Sequence, residues 1–257
     1  MTHPWFMGEP GPRVLAHRGF VPPTSEGVAE NSVAAIAAAR GAGTVYIESD
    51  CHLTADGEVV LFHDDDLRRV TGDPRPVASV PARELAAIMS TRGGLAMLAD
   101  VLDAFPDARF NLDVKAPAAA EQVGWLVARE SHRVLLTSFS DERRRAALTS
   151  ARAKGGDPAT SAGTSTLARI LAAARSGLPR LARAALAEVD ALQVPERHRG
   201  IRIVTPRLLQ TAHRAGVEVH VWTVNEPADM RRLIAMGVDG IVTDHADRGI
   251  AVARGRL

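Results

Sequence analysis

Eight short runs of β-branched and apolar residues, each followed by a stretch of helical character, constrain this chain more than any other feature. The runs are RVLAHRG (13–19), TVYIESDC (44–51), ARFNLDVKA (108–116), RVLLTSFS (133–140), PATSAG (158–163), DALQVPE (190–196), VEVHVWTV (217–224) and GIVTD (240–244). Strands that alternate with helices imply a parallel sheet, because each crossover helix covers a face of the sheet it leaves. Eight such units in 257 residues are the number that closes a barrel. The expected fold is therefore α/β, a single (β/α)8 TIM barrel spanning residues 1–257 as one domain. Helix punctuation agrees with this. In ENSVAAIAAARGAG, Asn31 or Ser32 can cap and Gly41 or Gly43 can stop the helix; in TPRLLQTAHRAG, Thr205 caps, Pro206 starts and Gly216 ends it.

Two segments depart from plain alternation. In LTADGEVVLFHD (53–64), Asp56–Gly57 is a hairpin signal between alternating residues. The second strand thus continues into a small hairpin above the barrel mouth, within an insertion of about residues 53–107, and the hairpin returns His63 to the rim. The segment from Asp64 to Phe110 is short, which predicts a small lid. The second segment, 151–190, is rich in alanine and reads as a weak fifth strand followed by a helix broken near Gly177–Pro179.

Charge and cysteine content narrow the function classes. A formal net charge of +1 gives no bias towards nucleic acid or anionic lipid. One cysteine, Cys51, excludes an intramolecular disulfide framework and any multi-cysteine metal site, and fits a reducing cytoplasm. MTHPWFMGEP lacks the basic and apolar regions of a signal peptide, and no apolar run reaches the ~20 residues that span a bilayer. The expectation is a cytoplasmic protein with no transmembrane segment; the sequence specifies no oligomeric state.

The chemistry lies in carboxylates placed where a buried strand should have none. Side chains alternate along a strand, so Glu48 and Asp50 share one face, and Asp113 and Lys115 share a face of the third strand. If that face is the barrel interior near its C-terminal end, three carboxylates converge where barrel enzymes keep their active sites. Buried anions repel unless a cation lies among them, and an all-oxygen set suits one hard divalent ion, Mg²⁺ or Ca²⁺, with Mn²⁺ as a further option. A lone Glu-x-Asp pair is more often a solvated face or a salt-bridge partner. Here, however, His17, Arg18, Glu48, Asp50, His63, Asp113 and Lys115 all fall at strand ends or on the hairpin after one. Imidazoles can give and take protons near neutral pH, Arg18 offers a planar fork to a phosphate, and Lys115 adds a point charge. Two bases, two cations and a divalent metal describe phosphoryl transfer better than acyl transfer.

These residues resemble the glycerophosphodiester phosphodiesterase family, within the phospholipase-C-like phosphodiesterases of barrel fold. The resemblance rests on LAHRGF (15–20), AENS (29–32), IESDCHLTADGEVVLFHDDDLRRVTG (47–72), FNLDVK (110–115), VHVWTVNEP (219–227) and MGVDGIVTDHAD (236–247). It implies that His17 and His63 form the acid–base pair, that Glu48, Asp50 and Asp113 hold the divalent metal, and that Arg18 and Lys115 bind phosphate. It further implies that Trp222 packs against glycerol, and that Glu30 and Asn31 orient His17 or the metal shell. The implied reaction is metal-dependent hydrolysis of a small glycerophosphodiester to glycerol 3-phosphate and an alcohol. Its nucleophile is the substrate's own 2-hydroxyl, through a cyclic phosphate. Two alternatives stay open: a phospholipase D-like lyase on the same barrel, and a non-catalytic phosphodiester-binding protein. The latter has no need of an acid–base pair.

The sequence departs from the family pattern at two points. Asp113 stands where many relatives carry glutamate, and TDHAD lacks the proline common after the last strand's aspartate, which leaves His245 as a rim residue. Ser49 and Cys51 alternate outward and are left out of the site. His132, His198 and His213 read as solvated or capping groups, and His220 as lining the lower barrel beside Trp222. Trp5 and Trp125 read as packing residues, and Arg143–Arg145 as a solvated helix face.

Overall fold

The structure, a computed structural model, describes residues 2–8 and 11–256. Its strands are β1 (Arg13–His17), β2 (Tyr46–Leu53), β3 (Val59–Leu61), β4 (Arg109–Val114), β5 (Val134–Thr137), β6 (Ala159–Thr160), β7 (Ala191–Pro195), β8 (Arg197–His198), β9 (Ile201–Arg202), β10 (Glu218–Trp222) and β11 (Gly240–Thr243). Its α-helices are α1 (Val33–Gly41), α2 (Arg68–Thr71), α3 (Ala82–Met89), α4 (Leu98–Ala104), α5 (Ala120–Val127), α6 (Asp141–Ala153), α7 (Thr164–Ser176), α8 (Pro179–Leu186), α9 (Pro206–Arg214), α10 (Pro227–Ala235) and α11 (Ala246–Ala253). Eight strands run parallel in the order β6-β5-β4-β2-β1-β11-β10-β7. The ring closes where Ser161 bridges Ala191 and the Asp190 N–H donates to the Thr160 carbonyl at 2.8 Å. All eight expected strands are present, and the weak fifth one, β6, is two residues long.

Local chemistry explains the boundaries. Ser32 rather than Asn31 caps α1, accepting from the Ala35 N–H at 3.1 Å, and Thr205 caps α9 through the Leu208 N–H at 3.2 Å. The broken helix of 151–190 is α7 followed by α8, with Gly177 left-handed at φ 74° and Pro179 opening the second piece. The hairpin forms as read: Cys51 pairs with Leu61 and Leu53 with Val59, with Gly57 at φ 85° in the turn.

Beyond that hairpin the insertion continues through short helices. It adds α2, α3 and α4 and encloses its own apolar cluster of Val60, Phe62, Leu67, Val77, Val80, Leu85 and Met89. Two corrections concern single residues. Trp125 is 49% exposed instead of packed, with the Lys154 ammonium 5.9 Å from the centre of its ring. Arg144, in the supposedly solvated run, is buried against Asp141 at 3.3 Å. A guanidinium can be buried there because a carboxylate accompanies it.

The main core lies outside the barrel, where Ile47, Cys51, Phe110 and Leu112 face helix residues such as Ile36, Val101, Val123 and Leu148. Inside, the floor is filled by Leu15, Tyr46, Leu135, Ala159, Ala191 and Val242 and plugged by Trp5 and Phe6. His220 also lies here, fully buried, with its ring 5.8 Å from that of Trp5 and its Nε2 3.0 Å from Glu218. Apolar filling below and carboxylates above confine the chemistry to the C-terminal mouth.

Candidate active site

A cavity of about 510 Å³ opens at that mouth. It is lined by His17, Arg18, Glu48, Asp50, His63, Asp113, Lys115 and Trp222, which places eight of the ten sequence-derived residues together. Glu30 and Asn31 lie just behind. Asn31 donates from Nδ2 to Asp50 at 3.1 Å and accepts from the Ser49 hydroxyl at 2.6 Å, and Glu30 accepts from Arg18 Nη1 at 2.8 Å.

The turn after β1 delivers His17 and Arg18 with some backbone strain. Arg18 and Asn31 both sit at φ 56°, a left-handed region that costs a non-glycine residue on the order of 1 kcal/mol. Two hydrogen bonds fix it there. The Asn31 N–H donates to the Arg18 carbonyl at 2.8 Å, the Arg18 N–H donates to Glu48 Oε2 at 3.1 Å, and Gly19 follows at φ 81°. A Cβ on Gly19 would stand 2.8 Å from the Ala35 backbone, so α1 packs this closely only against glycine.

Each histidine is held by a carboxylate. His17 Nδ1 lies 2.6 Å from Asp244 Oδ1, and His63 Nδ1 lies 2.6 Å from Asp64 Oδ1. An Nδ1 proton donated to a carboxylate leaves Nε2 for other work. Asp244 is itself fixed by Asn225, whose Nδ2 donates at 2.7 Å. Asp64 accepts from Arg69 Nε at 2.6 Å, and Arg69 also reaches Glu30. One chain of contacts, a hydrogen bond and then ion pairs, thus runs from His63 through Asp64, Arg69 and Glu30 to Arg18.

The carboxylates are buried and crowded. Burial, reinforced by the neighbouring Asp50 charge, pushes the Glu48 carboxyl up to about 7. Burial also raises Asp113, against the opposing pull of Lys115. The Lys115 ammonium lies 3.0 Å from Asp50 and 2.7 Å from Asp113; burial lowers its pKa, but these two anions more than offset that and hold it above the ordinary lysine value. Burial likewise pulls His17 down, while the Asp244 hydrogen bond and the Glu48 charge outweigh it, so its pKa ends above 6.5.

Among the described residues, no three histidine, cysteine or acidic side chains already converge on a common ion position. Lys115 stands against two of the three expected ligands. The donor set nevertheless fits a hard cation: Asp113 Oδ1 and Asn111 Oδ1 are buried oxygens with no hydrogen-bond partner, and an orphaned buried oxygen is costly unless something positive meets it.

Asp244, Asn225, Arg69 and Phe139 were not legible as site residues. A signal for Asp244 did exist. In a closed barrel the first and last strands are neighbours, and Ala16 pairs with Thr243, which brings the next residues, His17 and Asp244, together.

Fold and site together define a barrel hydrolase of the phosphodiesterase class, with its polar centre at the C-terminal mouth. Residues 17–248 match the model of the glycerophosphoryl diester phosphodiesterase family, and the chain belongs to that family. It is 38% identical over 255 residues to a Mycobacterium tuberculosis protein named probable glycerophosphodiester phosphodiesterase 2, covering 97% of this chain and 94% of that protein. It is 27% identical to a glycerophosphodiester phosphodiesterase of Caldanaerobacter subterraneus, covering 94% of this chain and 97% of the relative. Among solved structures, its fold is similar to that of a Thermotoga maritima glycerophosphodiester phosphodiesterase, with TM-score 0.70, 24% identity and coverage of 93% and 97%. It is also similar to an Oleispira antarctica phosphodiesterase solved with its product sn-glycerol-3-phosphate, with TM-score 0.70, 22% identity and coverage of 94% and 96%.

Proposed function

We propose that this enzyme hydrolyses glycerophosphodiesters to glycerol 3-phosphate and an alcohol, using one divalent cation and a histidine acid–base pair. The observation that carries this reading is the pairing of two carboxylate-held histidines, His17 and His63, with a buried cluster of three acids and two cations in one cavity. Glu48, Asp50 and Asp113 would hold the cation, Mg²⁺ or Ca²⁺, with Mn²⁺ as a further option. When bound, it would neutralise charge gathering on the phosphate oxygens.

This chain's own groups supply the remaining steps. Arg18 and Lys115 bind the non-bridging phosphate oxygens, and Trp222 packs against the glycerol carbons. One histidine takes the proton of the substrate's 2-hydroxyl as that oxygen attacks phosphorus; the other gives a proton to the leaving alcohol. The cyclic phosphate is then opened by water. Intramolecular attack gains from proximity, which suits a site whose serine and cysteine groups are otherwise engaged: Ser138 on the cavity wall donates to the Val114 carbonyl at 2.8 Å, Cys51 is buried in the outer core and the Ser49 hydroxyl donates to Asn31. Asp244 and Asp64 position the two rings, and Glu30 and Asn31 steady Arg18 and Asp50.

No helix among the described residues is long and apolar enough to cross a membrane. The unpaired Cys51 supports a cytoplasmic setting for this chemistry.

The test is release of glycerol 3-phosphate from glycerophosphocholine by chelator-treated protein, with Mg²⁺, Ca²⁺ or Mn²⁺ restored singly. Release should require metal, and His17→Ala and His63→Ala should each abolish it while the fold persists. Full turnover by either variant would falsify that histidine's role. A cyclic phosphate as the lasting product would favour the lyase, and binding without turnover under any ion would favour a non-catalytic protein.

A further inference from the structure

Arg69 lies outside the catalytic cavity, yet it touches the supports of two groups that line it. Its Nε donates to Asp64 Oδ2 at 2.6 Å, and its Nη2 donates to Glu30 Oε1 at 2.5 Å. The other Asp64 oxygen, Oδ1, lies 2.6 Å from His63 Nδ1. Glu30 Oε1 also accepts from Arg18 Nη1 at 2.8 Å. One guanidinium therefore stands between the carboxylate behind a histidine and the carboxylate behind a phosphate-binding arginine.

The two histidines are supported in different ways. Asp244 is held by Asn225, which donates to its Oδ2 at 2.7 Å and accepts from its backbone N–H at 3.0 Å. Asp64 is adjacent to His63 in sequence and its side chain is partly exposed, so its rotamer is set by whatever holds its second oxygen. That partner is Arg69.

Arg69 is itself firmly mounted. It projects from α2, and Leu67 just before that turn is fully buried in the apolar cluster of the insertion. The Val70 carbonyl accepts from Arg92 Nε at 3.1 Å, and Gly72 ends the turn at φ 83°. The insertion is also tied by backbone to the start of α1: the Ala29 N–H donates to the Arg92 carbonyl at 3.0 Å, and the Ala34 N–H to the Gly93 carbonyl at 2.9 Å. These ties do not involve the Arg69 side chain, so the insertion stays docked when that side chain is removed. The outer side of the guanidinium is open to solvent. Arg69 is 50% exposed and borders a depression of about 450 Å³ with Glu30, Val70, Thr91 and Arg92.

We propose that Arg69 is a positioning residue for the phosphodiester reaction, gripping Asp64 and Glu30 together so that the His63 ring and the Arg18 guanidinium keep a fixed separation. The inference rests on the phosphodiesterase reading of the cavity. Proton transfer at His63 and charge stabilisation by Arg18 act on the same phosphate, and their gain depends on both being in place at once. Without Arg69 the Asp64 carboxylate loses its outer hold, and His63 loses its orientation with it. The Glu30 charge is then left to Arg18 alone and draws that guanidinium away from a phosphate. Lysine is a poor substitute, because one ammonium in place of a planar fork reaches one carboxylate well and not both.

The experiment measures kcat and KM on glycerophosphocholine for metal-loaded Arg69→Ala and Arg69→Lys, with folding checked by thermal melting. Arg68→Ala is the control, since Arg68 is exposed on the same turn and takes no part in these contacts. Losing two charge-assisted hydrogen bonds at a half-exposed side chain should lower kcat about tenfold and raise KM about threefold or more in Arg69→Ala. Arg69→Lys should fall between that variant and the wild type, and it carries the comparison if the alanine variant melts early. Guanidinium ion at a non-denaturing concentration should enter the depression and restore part of the lost kcat, beyond the effect of equal sodium chloride. Double variants separate the two arms. On an Asp64→Ala background, Arg69→Ala should still raise KM and change kcat no further; on Glu30→Ala it should still lower kcat and leave KM as it is.

Wild-type turnover that Arg69→Ala leaves unchanged would overturn the inference alone. So would a loss equally present in Arg68→Ala, or one that neither guanidinium nor lysine reduces, since that is the mark of a damaged turn. Losses that add fully in both double variants would break the link through Asp64 and Glu30. No turnover by the wild type with any ion would remove the phosphodiesterase reading and this inference with it.

Discussion

Replacing Asp244 by asparagine isolates what a carboxylate does behind His17. Asparagine is nearly the same size and keeps an acceptor for the Nδ1 proton, so the ring stays in place while the charge is lost. A hydrogen bond to a charged group contributes about 1.5–3 kcal/mol when well shielded. The Asp244 side chain is 50% exposed, and solvent screening reduces this to roughly 1–1.5 kcal/mol. That corresponds to a fall of about five- to twelvefold in kcat/KM, carried mainly by kcat. The pH profile gives a second readout. His17 is raised above 6.5 in part by Asp244, while burial and Arg18 oppose the rise. With the charge gone those opposing influences gain, and the limb of the profile that reports His17 moves to lower pH. Steady-state assays from pH 5 to 9 would show both effects. An unchanged limb together with unchanged kcat would refute the positioning role, and a loss beyond about a thousandfold would mean that Asp244 touches the reacting atoms.

Two further predictions concern stability. Trp5 is fully buried and its indole N–H donates to the Phe110 carbonyl at 3.0 Å; Trp5→Ala should cost about 3–5 kcal/mol in urea unfolding, and a loss under about 1 kcal/mol would show that the floor does not depend on it. Burial favours the protonated Asp141 carboxyl, but the Ser165 hydroxyl, the Thr166 N–H and Arg144 more than reverse this and hold it well below the usual range. A depressed pKa contributes stability that is complete above the unfolded value near 3.8 and fades as pH falls through the folded one. The destabilisation caused by Asp141→Asn should therefore be largest at neutral pH and shrink below pH 3.8; an equal loss at pH 7 and pH 3, read from urea midpoints, would contradict this.

Much of the barrel was legible because its signals are local. Strand-like runs, Thr205 and Ser32 caps, the Asp56–Gly57 turn and the Gly177–Pro179 break act within a few residues of themselves. The acids of β2 and β4 stood out because period-two alternation assigns a face without knowledge of partners. What the sequence hid depends on closure. Asp244 reaches His17 across 227 positions, and Arg144 is buried only because Asp141 and the end of β6 meet it in space. The helices of the insertion were not legible one by one because they are short and their apolar residues serve a private core. Trp125 was misplaced because a tryptophan on a helix does not announce which way it faces.

The plug under the barrel has a bearing on the order in which the molecule is assembled. Trp5 rests on Tyr46 and His220 and bonds to Phe110, so its seat does not exist until strands from both ends of the chain have come together. Contacts this far apart in sequence form late, after the loop entropy between them has been overcome. During synthesis Trp5 and Phe6 leave the ribosome well before Phe110 and His220, and until those residues arrive an apolar tryptophan and phenylalanine remain available to chaperones or to wrong partners.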